Sequence, residues 1–219
     1  MSYGEGMKSN ITRVAIALCV DTSSSMAGEP IKELNKGIEL FYDELSKDEV
    51  ARYSAEISII EFNSKASIKL PFTEVDSLSG MESQLIANGY TVMGKAIELA
   101  LNELENQTQT YKTKGVSYYQ PWLVIMSDGV PTDDYKKAAE RAYKNSANRK
   151  LLAIPIGVGE EADLSILSEF SATVPAQKLK DNNFRSFFKW LSASVKNQSR
   201  SNQDDHFNMD RKELDWRSE

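Results

Sequence analysis

Three continuous apolar runs, at residues 14–20, 121–126 and 151–156, dominate the hydrophobic pattern of the chain. Each run is short and is followed by small polar residues or glycine, which is typical of a buried strand. Between the first two runs, apolar residues recur at helical spacing over residues 31–45. Strands that alternate with helices predict an α/β fold with a mostly parallel central sheet and helices on both faces.

One pair of predicted strands departs from the parallel arrangement. Residues 55–62 and 66–72 are rich in β-forming residues, and only the turn at residues 63–65 separates them. Such a pair predicts a hairpin, so one strand of the sheet is antiparallel. Pro71 cannot donate a ladder hydrogen bond, which places the second strand of the hairpin at the edge.

Two helices are predicted around the second apolar run. The first opens at residues 91–94 and buries apolar residues as far as Leu104, and the polar residues 107–115 are interpreted as a surface connection. The second starts after Pro131, and Asp133 and Asp134 are predicted to cap it rather than to bind metal.

The C-terminal part of the chain changes character near residue 197. Before it, a short strand is predicted at 174–179, and residues 181–183 cap a helix with one apolar face: Phe184, Phe187, Phe188, Leu191 and Val195. Residues 197–219 are polar and are predicted to form a flexible tail. The alternative, a short helix that docks on the domain, rests on three apolar residues: Phe207, Leu214 and Trp216.

The composition of the chain limits the classes of function that it can have. A chain of 219 residues with 41% hydrophobic residues can form one large globular domain. A net charge of −6 argues against a nucleic-acid backbone binder, which needs a clustered basic face. The single cysteine, Cys19, lies within the first apolar run, so no intrachain disulfide is expected. No apolar segment resembles a signal peptide or a membrane span, so a cytoplasmic location without membrane partners is expected.

Candidate ligands follow two of the predicted strands. Asp21, Ser23 and Ser25 alternate directly after the first strand, Asp128 follows the second apolar run, and Thr91 opens a helix. Because the carboxyl ends of parallel strands meet at one edge of a sheet, we expect these oxygens to converge. Oxygen ligands suit a hard cation such as Mg²⁺. Two carboxylates approximately neutralise the ion, and neutral hydroxyls leave it able to accept one more anionic oxygen.

These motifs resemble a known family. The sequences DTSSSM at 21–26, GYTVMG at 89–94 and SDG at 127–129 are similar to the metal-ion-dependent adhesion site of von Willebrand factor A domains. The resemblance covers residues 11–196. It is closest to the small bacterial members of the tellurium-resistance TerY type, through DTSSSMAGEPI and SDGVPTDD.

The resemblance implies a doubly wound sheet with one antiparallel edge strand. It also implies that Ser23, Ser25 and Thr91 bind Mg²⁺ directly (with Mn²⁺ or Ca²⁺ as alternatives), that Asp21 and Asp128 bind directly or through water, and that an open position accepts a partner's carboxylate. The implied function is non-catalytic, metal-dependent protein binding in a tellurite or stress-response system. Its partners include a serine/threonine kinase or a PP2C-type phosphatase. Tyr90 departs from the family, in which glycine is common at that position.

Three other interpretations remain open. Asp21 and its serines are equally typical of a capped turn, although Thr91 and Asp128 in the expected order favour a site. A metal-dependent phosphoester hydrolase with Asp21 as nucleophile lacks an acid–base partner, because Ser23 occupies the position of a second aspartate and the only histidine is His206. A scaffold whose site holds no metal is the third.

The glycine-rich segment at residues 157–162 matches a dinucleotide-binding pattern. Its glutamates, Glu160 and Glu161, would oppose a pyrophosphate at the helix N-terminus. A plain strand-to-helix turn is therefore the preferred interpretation.

Overall fold

The computed structural model describes residues 11–77, 84–128, 130–201 and 216–217, which form a single six-stranded sheet with surrounding helices. The strands are β1 (Val14–Asp21), β2 (Ala55–Phe62), β3 (Ala66–Glu74), β4 (Trp122–Ser127), β5 (Leu152–Gly157) and β6 (Gln177–Lys178). Their order across the sheet is β3-β2-β1-β4-β5-β6. All neighbours are parallel except β2 and β3, which form the antiparallel hairpin at one edge. The predicted doubly wound, mostly parallel sheet with an antiparallel edge strand is confirmed.

The helices cover both faces of this sheet. They are α1 (Glu29–Ser46), α2 (Ala51–Ser54), α3 (Met93–Lys114), α4 (Lys136–Ala147), α5 (Leu164–Ser168) and α6 (Phe184–Gln198). In the central strand, Ile16 and Leu18 face a core shared with α1 and α6, and Ala17 and Cys19 face a core shared with α3 and α4. Burial raises the pKa of the Cys19 thiol far above its ordinary value, so the cysteine behaves as a core residue. Within the described ranges, no helix combines the length and apolar character needed to cross a membrane.

Helix α1 approaches α6 closely because of one glycine. A Cβ at Gly37 would lie 2.5 Å from the Cδ2 atom of Phe188, so only glycine leaves room for that ring. The ring of Phe188 also packs against Phe41 of α1, with 5.7 Å between ring centroids. The apolar stripe predicted for the last helix is fully buried.

Helix α3 is longer than the sequence predicted. Residues 107–114, interpreted as a surface connection, continue the helix to Lys114. Tyr111 lies seven residues after the buried Leu104 and is itself only 3% exposed. A narrow apolar stripe therefore packs this otherwise polar part of the helix against the core. Gly115 then ends the helix in the left-handed conformation, with φ at 65°.

The last strand is shorter than predicted. Only Gln177 and Lys178 pair with β5, instead of residues 174–179. Pro175 has no amide to donate to a ladder, and the amide of Val174 is used by the hydroxyl of Ser171 in a turn at 3.1 Å.

The predicted tail, residues 197–219, contacts the domain where the structure describes it. Its first two residues continue α6 to Gln198, Arg200 forms an ion pair of 2.8 Å with Asp48, and the carbonyl of Ser201 accepts a hydrogen bond from the Tyr119 hydroxyl at 2.8 Å. These residues are therefore ordered parts of the domain rather than a flexible tail.

Trp216 is a second described contact of the C-terminal segment with the domain. Helix α6 starts at the cap Asn183, whose side chain accepts a hydrogen bond from the amide of Ser186 at 3.1 Å. Trp216 is fully buried, and its ring centroid lies 5.0 Å from that of Phe187 and 5.4 Å from that of Trp190. At Trp216 the structure therefore differs from the predicted flexible tail, because an indole of this size gains from burial against two aromatic rings. Residues 202–215, including His206, Phe207 and Leu214, and residues 218–219 lie outside the described residues.

Candidate metal centre

The candidate site lies where β1 and β4 end side by side. These parallel strands are paired in register up to Val20 and Met126, so Asp21 and Ser127 follow as neighbours. The hydroxyl of Ser127 donates a hydrogen bond of 2.5 Å to Oδ2 of Asp21. The strand topology alone thus brings Asp128, the next residue, to the same edge as Asp21.

A compact loop after β1 brings the serines to the two carboxylates. The amide of Ser23 donates to Oδ1 of Asp21 at 2.8 Å, which folds the chain back at the strand end. A 3₁₀ turn at Ser24–Met26 then places the Ser25 hydroxyl 2.9 Å from that of Ser23. The same Ser25 hydroxyl donates to Oδ1 of Asp128 at 2.8 Å. Four of the five predicted ligands therefore lie in one hydrogen-bonded chain.

Thr91 is held beside this loop by backbone contacts. The amide of Asn88 donates to the carbonyl of Thr22 at 2.8 Å, and the amide of Ser24 donates to the carbonyl of Gly89 at 3.0 Å. On its other side, Thr91 exchanges two hydrogen bonds with Thr132, of 3.2 and 2.8 Å. Thr91 is 6% exposed, and it lies next to the hydrogen-bonded chain rather than within it.

Two residues predicted to form a simple turn, Asn63 and Ser64, support the Thr91 loop. Asn63 accepts the amide of Val92 on its carbonyl at 3.0 Å, and its side chain donates to the Thr22 hydroxyl at 3.3 Å. The hydroxyl of Ser64 accepts the amide of Tyr90 at 3.1 Å. The approach is so close that a Cβ at Gly89 would lie 2.3 Å from that hydroxyl. The turn residues Asn-Ser carry no local signal for this role, because the partner loop is distant in sequence.

Asp133 caps a different helix from the predicted one. Its carboxylate accepts the amides of Gly94 and Lys95, at 3.0 and 2.9 Å, and so caps α3 rather than the following helix α4. Asp134 does accept an amide at the start of α4, that of Lys136 at 3.1 Å. The prediction for Asp133 was wrong because the 131–134 loop crosses the start of α3. A Cβ at Gly94 would lie 2.4 Å from the carbonyl oxygen of Asp134.

The electrostatics of the site favour a cation. Burial raises the pKa of Asp21 to about 6; hydrogen bonds from Ser127 and Ser23 oppose this shift, and the nearby Asp128 carboxylate adds to it. Burial also raises the pKa of Asp128, against the hydrogen bond from Ser25. Ionising two carboxylates that lie close together costs free energy, and a cation between them lowers that cost. Asp21 forms the buried floor of the site, and the exposed Ser25 forms its opening.

The donor set suits a hard cation. Across the described parts of the chain, no group of three or more His, Cys, Asp or Glu side chains is positioned to hold a metal. The candidate site instead combines two carboxylates with hydroxyl oxygens, which fits Mg²⁺ chemistry better than that of zinc or copper.

The glycine-rich segment at 157–162 is a strand-to-helix turn. Helix α5 has only five residues, and the side chain of Asp163 caps it by accepting the amides of Ser165 and Ile166, at 2.9 and 3.2 Å. A carboxylate therefore already occupies the position at which a pyrophosphate would bind.

Comparison with known proteins identifies the protein family to which this chain belongs. Residues 15–191 match the family model of the von Willebrand factor type A domain, so the chain belongs to this family. Domains of the family commonly act as metal-dependent protein-interaction modules.

Solved structures share the fold. A von Willebrand factor type A protein from Catenulispora acidiphila superposes with a TM-score of 0.63 at 16% identity, covering 84% of this chain and 43% of that one. The pilus adhesin SpaC from Lactobacillus rhamnosus GG gives 0.65 at 10% identity, covering 86% and 30%. The conserved hypothetical protein BatB from Bacteroides thetaiotaomicron gives 0.57 at 18% identity, covering 86% of this chain and 100% of that chain.

Sequence similarity to a curated protein is more limited. The human collagen alpha-1(XXI) chain is 29% identical over 112 residues, which cover 49% of this chain and 11% of the collagen. The chain thus corresponds to a small part of that relative and to less than half of two of the structures above.

Proposed function

We propose that this chain is a non-catalytic, metal-dependent protein-binding module with a metal-ion-dependent adhesion site. Asp21, Ser23, Ser25, Thr91 and Asp128 hold a Mg²⁺ ion, with Mn²⁺ or Ca²⁺ as alternatives. A partner protein supplies an aspartate or glutamate to the position that they leave open. The observation that carries the proposal is the hydrogen-bonded chain from Asp21 to Asp128, which joins oxygens from two separate strand ends.

The chemistry of the donor set explains why the module binds a partner. The bound ion supplies positive charge to an edge that is otherwise acidic. The two carboxylates approximately balance that charge, and the serine hydroxyls complete the site without adding more negative charge. The exposed position of Ser25 leaves the site open to solvent, where a partner's carboxylate has access.

The geometry of the candidate site gives little support to a catalytic function. The alternative is a phosphoester hydrolase in which Asp21 attacks the phosphorus atom. Asp21 is fully buried, and its two oxygens accept hydrogen bonds from Ser23 and Ser127. A nucleophile needs an exposed oxygen and an adjacent acid–base group. Ser23 occupies the position where a second aspartate would serve as that group.

The biological setting proposed here rests on sequence resemblance. The sequence segments at residues 21–31 and 127–134 most resemble those of TerY-type proteins of tellurite-resistance and stress-response systems. The partner is then a serine/threonine kinase or a PP2C-type phosphatase of the same system.

Affinity purification from native lysate tests the proposed function. The tagged chain is used with Mg²⁺ and with EDTA, beside the variants Asp128→Asn and Asp134→Asn. Both variants exchange a carboxylate for an amide in the same region, but only Asp128 belongs to the site. A partner that is retained in Mg²⁺ by the chain and by Asp134→Asn, and lost in EDTA and with Asp128→Asn, supports the proposal. Retention that is equal in all four conditions would contradict it, and Mg²⁺-dependent hydrolysis of phosphoesters by the purified chain would favour the alternative.

A further inference from the structure

Among the described residues, the most exposed large hydrophobic side chains lie on loops that adjoin the candidate ligands. Ile86 and Tyr90 are both 71% exposed and Val130 is 58% exposed, whereas elsewhere in the described residues only Tyr143 and Ile68 belong to this group, at 49% and 38%. Single exposed apolar residues are ordinary on a protein surface, but a group of them at one site marks an interaction surface. We call Ile86, Tyr90 and Val130 the apolar rim.

The backbone holds two members of the apolar rim next to each other. Thr91 and Thr132 exchange hydrogen bonds of 2.8 and 3.2 Å, which join the loop of Tyr90 to the loop of Val130. The Ser64 hydroxyl also fixes the amide of Tyr90. The exposure of these side chains therefore belongs to a braced structure rather than to a loose loop.

Ile86 is directed outward by its neighbour in the chain. The side-chain amide of Asn35 bonds both the amide and the carbonyl of Leu85, at 2.9 and 3.0 Å, and Leu85 is buried. Ile86, the next residue, lines a cleft of about 570 Å³ together with Ala27 and Gly28. Because Ala27 and Gly28 directly follow the serine loop, this cleft begins beside the candidate ligands.

We propose that the apolar rim selects partner loops in which the metal-binding carboxylate lies next to an aromatic or aliphatic side chain. This inference rests on the proposed function. A metal ion alone accepts any accessible carboxylate, so discrimination between acidic loops must come from the surface around it. An apolar neighbour of the carboxylate buries surface against Tyr90 and Val130, which an acidic residue between polar neighbours cannot do.

A random heptapeptide library displayed on phage provides the test. The full chain is panned in Mg²⁺ and in EDTA, in parallel with Asp21→Ala, Tyr90→Ala and Tyr143→Ala. Tyr143 is an exposed tyrosine on α4 that belongs neither to the candidate ligands nor to the apolar rim, and it serves as the matched control. Winning peptides are then synthesised, and their affinities are measured in solution together with the Mg²⁺ affinity of each variant by calorimetry.

The proposal expects Mg²⁺-dependent peptides with an aspartate or glutamate next to an aromatic or aliphatic residue. Tyr90→Ala should weaken such a peptide about tenfold while Mg²⁺ affinity stays unchanged, and Tyr143→Ala should weaken it by less than about twofold. Mg²⁺-dependent acidic peptides without an apolar preference would overturn the inference and leave the proposed function intact. Peptides that bind equally in EDTA and to Asp21→Ala, or a failure to enrich any peptide above the Asp21→Ala background, would overturn both.

Discussion

The hydroxyl of Ser25 donates a hydrogen bond of 2.8 Å to the carboxylate of Asp128, although 103 residues separate them in the chain. This bond lies at the opening of the candidate site, since Ser25 is exposed and Asp128 is partly buried. It also lowers the pKa of Asp128, partly offsetting the rise that burial causes. The two groups that would meet a cation first are thus already in contact with each other.

Replacing Ser25 should weaken metal binding without unfolding the protein. Ser25→Ala removes one hydroxyl ligand, and we expect Mg²⁺ affinity to fall at least about tenfold, the scale of a 1.4 kcal/mol loss. Ser24→Ala is the matched control, because Ser24 is also exposed and lies in the same 3₁₀ turn. Calorimetric titration measures both variants. Equal affinities for Ser24→Ala and Ser25→Ala would remove Ser25 from the ligand set.

The stability of the metal-free protein should depend on pH through Asp21. In the unfolded chain its carboxyl titrates near its ordinary value of 3.8, whereas burial raises its pKa in the folded state to about 6. As pH rises, the unfolded state loses the proton first, so this group lowers the free energy of unfolding progressively from about pH 4 to pH 6. A shift of this size corresponds to about 3 kcal/mol.

The variant Asp21→Asn isolates this pH effect. In EDTA, the free energy of unfolding of Asp21→Asn minus that of the unsubstituted chain should increase by up to about 3 kcal/mol between pH 4 and pH 7. Chemical denaturation at several pH values measures the difference. A difference that stays constant with pH would show that Asp21 does not titrate as described.

Removing the cap of α3 should affect both stability and the site. Asp133→Ala leaves the amides of Gly94 and Lys95 without their partner and should lower the free energy of unfolding by about 1 kcal/mol. Because α3 begins two residues after Thr91, Mg²⁺ affinity should fall as well. Denaturation and calorimetry test this against Asp134→Ala, which removes one amide contact at the start of α4 instead of two and should cost less stability. Equal effects of the two alanines would contradict the cap.

Trp216 should contribute strongly to stability. Trp216→Ala removes a fully buried indole from its contacts with Phe187 and Trp190, and we expect a loss of about 3–5 kcal/mol. Tyr143→Ala, at a half-exposed aromatic residue, should cost far less. Denaturation curves of the two variants measure the difference. A Trp216→Ala protein as stable as the unsubstituted chain would show that this residue is not packed in solution.

The sequence predicted the sheet and the convergence of Asp21 and Asp128 because each signal is local. Asp21 follows one apolar run directly and Asp128 lies two residues after another, and parallel strands place such residues at one edge without knowledge of any distant contact. The edge position of β3 could be predicted for the same reason, from a short turn and Pro71 in the second strand.

The remaining features depend on contacts between distant segments. Asp133 precedes one helix and caps another, and no local rule identifies which helix its loop crosses. Asn63 and Ser64 have the composition of any turn, although they support the Thr91 loop. Trp216 lies in a polar segment, and its burial follows only from the aromatic pair on α6 that receives it.

The most direct test of the metal site is a calorimetric titration of the metal-free chain with Mg²⁺, together with Thr91→Ser and Thr91→Val. Thr91 is the one proposed ligand outside the hydrogen-bonded chain, so it tests the complete set. Serine keeps the hydroxyl, and valine keeps the shape of threonine without it. We expect one ion per chain, near-normal affinity for Thr91→Ser and a loss of at least about tenfold for Thr91→Val. No binding by the unsubstituted chain, or equal binding by Thr91→Val, would contradict it.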